Sequence, residues 1–316
     1  CVACCAACAP TPATSRPCIT HPQRRTRNSM NKLGVVGCGL MGSGIAEVGA
    51  KGGCDVIVVD AIAPALDSAK ERMTASLTKA EAAGKLSESV ETIMGRITFT
   101  TDLAALADRE IVIEAIRETI EDKAALMGQL DGIVSPTTII ATNTSSIPVA
   151  QIAASSSHPE RVLGMHFFNP VPVMKLVEVI ACLVTDPANA EKAAEFGATK
   201  LGKTVIHAED RSGFLVNAIL VPYLLSAIRS LENGVASKED IDTGMVYGCG
   251  MPMGPLTLCD MIGLDTLLLV SQSLYAEHLD FSFSPPALLK RHVEAGLLGR
   301  KSAAVSTTTR RASRPR

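Results

Sequence analysis

The 316-residue chain has no tryptophan, and aromatic residues make up only 3% of it. That argues against the aromatic platforms on which nucleic-acid bases stack. Charge of one sign is missing too: 30 Lys and Arg stand against 32 Asp and Glu, for a net charge of −2. No global basic field invites nucleic acid or a membrane surface. No apolar run is long enough to span a bilayer, and the greasiest stretch, Gly213 to Ile228, is interrupted by Asn217 and Pro222. What remains is 47% hydrophobic residues, enough for a sizeable core in one or two domains. The expectation is a soluble globular chain whose partners are small molecules, with no nucleic acid and no membrane.

A disulfide framework is also missing. Five of the ten cysteines crowd the first eighteen residues, and Cys38, Cys54, Cys182, Cys249 and Cys259 are scattered singly in apolar surroundings. Scattered single cysteines in a chain this long read as reduced core residues. The opening CVACCAAC holds two C-x-x-C pairs, which is metal-ligand spacing. A terminal Ala/Cys/Pro stretch with no fold behind it rarely builds a closed site, so no metal is expected. Residues 1–30 contain no Asp or Glu and carry Arg16, Arg24, Arg25 and Arg27. They are expected to be disordered. Two readings stay open: a transit peptide to the mitochondrial or plastid matrix, or translated upstream sequence before Met30 in a cytoplasmic protein.

From Met30 onward the pattern is regular. KLGVVG, DVIVVD, RITFT, EIVIEAI and TIIATNTSS read as short apolar strands, separated by helix-length segments such as Ala65 to about Leu86. Strands alternating with helices imply βαβ units and a parallel sheet. RVLGMHFF and VMKLVEV follow as strands linked by NPVP. After about residue 209 the periodicity is helical throughout. Asn233-Gly234 is a helix stop, and Ser237 with Asp240 is a helix start. The expected fold is α/β: a Rossmann-type doubly wound sheet over residues 31–209, then an all-α domain for substrate and dimerisation over 210–302. A disordered tail is expected at 303–316.

GVVGCGLMGSGIA contains Gly37-x-Gly39-x-x-Gly42 between a strand and a helix, and Asp60 ends the next strand. Gly37 permits the tight turn, Gly39 lets the backbone approach a pyrophosphate, and Gly42 lets the helix pack on the sheet. Leu40 and Met41 fall between them, at the positive end of that helix, where phosphates sit. Asp60 can accept hydrogen bonds from a ribose 2′-hydroxyl and would repel a 2′-phosphate, which favours NAD over NADP. A flavin would use the same fingerprint, and a Gly-rich turn beside a solvated Asp would look the same.

One apolar run, GMHFFNPVPVMKLVEV, carries a histidine and a glutamate, His166 and Glu178. The prolines restrict the link to turn-like geometry, so the two strands should run back against each other and bring the pair side by side. A carboxylate beside an imidazole fixes its tautomer and stabilises the imidazolium. Such a pair suits removal of a hydroxyl proton while a hydride leaves. A core histidine satisfied by any polar neighbour is the competing reading.

From Lys32 to about Ser302 the sequence resembles the L-3-hydroxyacyl-CoA dehydrogenases, and within them the 3-hydroxybutyryl-CoA dehydrogenase group. GMHFFNPVPVMKLVEV is similar to the family signature, and NTSS, GFLVN, PMGPLTLCDMIGLD and AGLLGRKS are similar to family blocks in the same order. The resemblance implies His166 as general base and Glu178 as its partner. It implies Ser145 and Asn217 at the substrate oxygen. Glu118, Lys123, Asn143 and Ser145 are implied on the nicotinamide side of the cofactor, and Asp60 at the adenosine ribose. Arg72 and Lys79, seven apart on one helix face, match helices that meet CoA phosphates; a solvated charged face explains them equally. The implied reaction moves a hydride between NAD(H) and carbon 3 of a short-chain 3-hydroxyacyl-CoA/3-oxoacyl-CoA pair, in a homodimer joined through the helical domain. Two rivals share the frame: an L-gulonate 3-dehydrogenase or crystallin-like relative acting on a sugar acid, and a catalytically silent NAD-binding protein. The chain departs from the family pattern after GRKS, in YGCGMPMGP, and at Arg117, where an apolar residue is common.

Overall fold

The computed structural model of the chain describes residues 30–302. The readings of the leader, its C-x-x-C pairs and the tail fall outside these residues. Eight strands form one sheet: β1 (Lys32–Val36), β2 (Asp55–Val59), β3 (Ile97–Thr100), β4 (Ile111–Glu114), β5 (Ile139–Thr142), β6 (Val162–Phe167), β7 (Leu176–Ala181) and β8 (Thr204–Glu209). Their spatial order is β3-β2-β1-β4-β5-β6-β7-β8. The first six run parallel, in the order of a doubly wound dinucleotide-binding sheet. β7 then pairs antiparallel with β6, and β8 pairs parallel with β7.

The central strands are buried on both faces, so their sequences are near-continuous apolar runs and not alternating ones. Helices α1 (Leu40–Lys51), α2 (Ala63–Ala82) and α3 (Val90–Met94) cover one face. The other face carries α4 (Ile120–Asp131) and α5 (Val149–Ala153). Helix α6 (Pro187–Thr199) joins the first face beyond α1, where Gly197 lets it pack against Met165, Val177 and Val205. The opposite core layer gathers Val36, Val112, Met127, Ile140 and Phe214.

After β8 every described element is helical: α7 (Val216–Glu232), α8 (Lys238–Thr243), α9 (Pro255–Ile262), α10 (Leu264–His278) and α11 (Ala287–Glu294), with short tight turns between them. Leu224, Leu225, Leu256, Cys259, Leu267, Leu274 and Leu289 form their separate core. The two helix signals read from sequence hold. Ser237 caps α8 by accepting from the Asp240 N–H, and α7 ends before Gly234, whose φ is +67°. The helical stretch LTLCDMIGLDTLLLVSQSLYAEHL folds as two helices that bend by 97° at Gly263. There φ is +99°, open to glycine and strained for any other residue.

Candidate active site

The glycine-rich turn joins β1 to α1. Gly37 has φ +93°, and a side chain on it would meet the Ala115 carbonyl at 2.6 Å. A Cβ on Gly42 would lie 1.8 Å from the Gly37 oxygen. Gly39 differs: a Cβ there meets nothing within 4 Å, because it points into open space. That space is a cleft of about 900 Å³ lined by Gly37, Gly39, Asp60, Ile62, Ala115 and Leu126, among others. The first N–H groups of α1, those of Leu40, Met41 and Gly42 among them, have no acceptor inside the helix. A turn kept clear on its open side, with spare N–H donors behind it, fits a pyrophosphate.

Asp60 follows β2 at the rim of this cleft. Its Oδ2 accepts the Cys38 N–H at 2.9 Å and its Oδ1 the Ile62 N–H at 3.0 Å. Burial pushes its carboxyl up, but these two N–H bonds outweigh burial and hold it below the usual carboxylate range. Asp60 is therefore an anion with lone pairs to spare for ribose hydroxyls. The adjacent Cys38 thiol is pushed up to about 12 by burial and by Asp60, so it stays protonated and inert.

The loop after β4 brings Glu118 and Lys123 together, and they are no surface pair. Lys123 is 1% exposed, and its Nζ lies 3.3 Å from Glu118 Oε2 and 2.7 Å from Glu114 Oε1. Glu118 Oε1 accepts from the Thr144 hydroxyl at 2.5 Å, the Ser145 N–H at 2.9 Å and the Ser146 N–H at 3.2 Å. Burial raises Glu118, but the Lys123 charge and these donors more than offset it and hold the carboxyl low. So Glu118 fixes the loop that carries Ser145. Asn143, two residues earlier, donates its N–H to the Glu114 carbonyl at 2.8 Å and accepts the Phe167 N–H at 2.9 Å. It ties the end of β5 to the end of β6.

His166 and Glu178 are direct partners in the β6–β7 register. His166 Nδ1 lies 2.6 Å from Glu178 Oε2, and both residues are buried. The link between the strands contains the cis peptide Asn169-Pro170. With Nδ1 committed to the carboxylate, Nε2 is the atom left to exchange a proton. The rings of Phe168 and Phe214 flank the imidazole at 4.7 and 5.5 Å between centroids.

Glu178 reaches further. Its Oε1 accepts the N–H groups of Leu215 (3.1 Å) and Val216 (3.0 Å), at the start of α7. Asn217 is the next residue. The turn into α7 passes through Gly213 (φ +76°) and Phe214 (φ +47°). A phenylalanine in the left-handed region is a genuine outlier, held here by burial against the imidazole. Asp210 fastens the same crossing by accepting the Val149 and Ala150 N–H groups, both at 2.7 Å.

Arg72 turns one nitrogen to the glycine-rich turn. Its Nη2 donates to the Cys38 carbonyl at 2.6 Å and to Ser43 Oγ at 3.0 Å, while its Nε is buried without a partner. Arg72 thus touches the dinucleotide loop. Lys79 is exposed. Sequence reasoning missed Glu114, Thr142, Asp210 and Phe214. Glu114 reads as one more residue of a buried strand, and the partners of the others lie far along the chain. Phe214 has one usable signal, its place just after a glycine in GFLVN.

Comparisons with known proteins point to one family. The model of the 3-hydroxyacyl-CoA dehydrogenase NAD-binding domain matches residues 32–211, and that of the 3-hydroxyacyl-CoA dehydrogenase C-terminal domain matches residues 213–307. The chain is 49% identical over 277 residues to the 3-hydroxybutyryl-CoA dehydrogenase of Mycobacterium tuberculosis, covering 87% of this chain and 97% of that protein. It is 48% identical over 271 residues to the probable 3-hydroxybutyryl-CoA dehydrogenase of Deinococcus radiodurans, covering 86% and 97%. Among solved structures, M. tuberculosis FadB2 superposes with a TM-score of 0.86 at 48% identity, over 88% of this chain and 99% of that one. The (S)-3-hydroxybutyryl-CoA dehydrogenase of Ralstonia eutropha superposes with a TM-score of 0.84 at 42% identity, over 88% and 98%. With a dinucleotide turn in the sheet, a His–Glu pair at its reversal and a helical half beyond, the chain belongs to the 3-hydroxyacyl-CoA dehydrogenase family.

Proposed function

We propose that the chain is an NAD-dependent oxidoreductase interconverting a short-chain 3-hydroxyacyl-CoA and its 3-oxoacyl-CoA, with 3-hydroxybutyryl-CoA and acetoacetyl-CoA as the pair. The observation that carries this reading is the buried His166–Glu178 pair in strand register, 2.6 Å apart. NAD fits the residues present: Gly39 leaves room for a pyrophosphate, and Asp60 is a free acceptor for ribose. When bound, NAD supplies the hydride acceptor or donor. His166 Nε2 takes the proton of the 3-hydroxyl in oxidation and returns it in reduction. Glu178 stabilises the imidazolium and holds the tautomer. Ser145, at the loop fixed by Glu118, and Asn217, at the start of α7, hold the substrate oxygen as its charge changes. Lys79, exposed on α2, is a free cation for a phosphate of CoA on this reading.

The same reading makes the helical half a dimerisation surface. Ile219, Tyr247, Leu269, Leu279 and Phe281 are each more than 60% exposed there. Such a surface is the kind that a second copy covers.

The test follows nicotinamide absorbance with acetoacetyl-CoA, supplying NADH and then NADPH. NADH oxidation is expected, and His166→Gln should reduce it by roughly 10²–10⁴, the size of a lost acid–base group. A preference for NADPH would overturn the role given to Asp60. A folded protein that binds NADH and turns over no CoA thioester would shift the reading to a sugar acid or to a silent protein.

A further inference from the structure

One lysine and two carboxylates meet beside the cofactor cleft. Lys123 Nζ bridges Glu114 Oε1 (2.7 Å) and Glu118 Oε2 (3.3 Å). Three donors converge on Glu114: the Lys123 ammonium, the Ile116 N–H at 2.7 Å and the Thr142 hydroxyl at 2.6 Å. Glu114 thus serves three donors at once. Two negative charges and one positive leave the cluster at −1. The excess faces one way, because the side chains of Glu114 and Lys123 are 0% and 1% exposed while that of Glu118 is 31% exposed.

For the fold alone this is an odd choice. A buried ion pair is often no better for stability than two apolar side chains of similar volume. Lys123 could also pair with Glu118 alone and leave the site neutral. Glu114 prevents that by drawing the ammonium inward.

We propose that Glu114 is a positioning residue that sets the charge of the nicotinamide site. It takes up Lys123, leaves the Glu118 carboxylate in excess, and so favours the cationic oxidised nicotinamide over its neutral reduced form. This rests on the reading that Glu118 borders the nicotinamide half of NAD. Glu114 itself touches neither cofactor nor substrate in this role.

The experiment measures dissociation constants of NAD⁺, NADH and ADP-ribose for the wild type, Glu114→Gln, and the double variant Glu114→Gln/Lys123→Met. Calorimetry and nicotinamide fluorescence give the constants, and thermal melting checks folding. Glutamine keeps the shape of the side chain and removes its charge. For Glu114→Gln the ratio Kd(NAD⁺)/Kd(NADH) should rise about tenfold, the effect of a unit charge at roughly 10 Å in an effective dielectric of about 20. ADP-ribose lacks the nicotinamide ring, so its affinity should not change. The double variant carries −1 again, and its ratio should return to that of the wild type. Equal weakening of all three ligands would make Glu114 mere scaffolding and overturn the proposal, as would an unchanged ratio. If Glu114→Gln does not fold, Glu114→Met, equally without charge, takes its place: the same tenfold rise in the ratio is expected, and an unchanged ratio overturns the proposal. A wild type that binds neither nucleotide would overturn the cofactor reading, and the proposal with it.

Discussion

Glu178 has two carboxylate oxygens, and they face different halves of the molecule. Oε2 holds His166, while Oε1 holds the Leu215 and Val216 N–H groups just before Asn217. One side chain therefore orients His166, the proposed base, and also the helix that carries Asn217. The two duties separate by substitution. Glu178→Gln keeps an acceptor for the two N–H groups but loses the charge. Its kcat should fall roughly 10²-fold or more, with KM for the CoA substrate little changed. Glu178→Ala also leaves two N–H groups without their acceptor, at a cost of about 1–3 kcal/mol. Its KM should rise and its melting temperature should drop as well. Steady-state kinetics with melting curves on both variants distinguishes the duties; a Gln variant with the same KM defect as the Ala variant would refute this division. The His–Glu half of the arrangement is legible in the sequence, because a proline-rich link between two apolar runs folds them together. The amide half is not, because the N–H groups of residues 215 and 216 carry no residue-type signal.

At the scale of the element, the three glycines of the first βα turn do different work. Gly42→Ala puts a methyl group 1.8 Å from the Gly37 oxygen, so α1 must shift off the sheet. Gly39→Val puts its side chain into open space that the cofactor would fill. The first should lower the melting temperature. The second should leave melting unchanged and weaken NADH binding at least tenfold, read by NADH fluorescence. If Gly39→Val bound NADH normally, the cleft would not be the cofactor site.

Most of the elements could be read from pattern, and the exceptions have reasons. β1, β2 and β4 are largely buried runs flanked by glycine or acid, which is a strong signal. β8, TVIHAE, shows no such run. It is an edge strand with half-buried and exposed positions, so its composition resembles a loop. The break between α9 and α10 is not legible, because Gly263 is a single residue within a helical periodicity, and only its positive φ reveals the 97° bend. The reach of Arg72 past its helix face to the Cys38 carbonyl leaves no mark in the sequence spacing.

At the scale of the whole molecule, acid stability has an identifiable contributor. Asp131, at the end of α4, accepts from Ser156, Ser157 and Arg161, and so joins α4 to the segment leading into β6. Burial pushes its carboxyl up, but the Ser157 N–H and hydroxyl, Arg161 and Ser156 outweigh burial and bring it from 3.8 down to about 2. A carboxyl lowered by folding stabilises the protein above its unfolded value. That contribution is full above about pH 4 and is lost as the pH falls toward 2. It amounts to about 2 kcal/mol. Asp131→Asn should therefore melt roughly 4–8 °C lower near pH 7, and the gap should close by about pH 2. A gap of equal size at both pH values would assign the effect to packing and not to charge.

The reversal of the sheet between β6 and β7 bears on inheritance. The separation of base and carboxylate is fixed by backbone pairing, since residues 166 and 178 face each other across one rung of the ladder. A slip of one residue would turn Glu178 to the opposite face. The spacing of the pair thus travels with strand register, and any descendant that keeps the sheet and both residues keeps it. Selection acting on the helices beyond residue 215 is then free to reshape what is gripped without reinventing how it is oxidised.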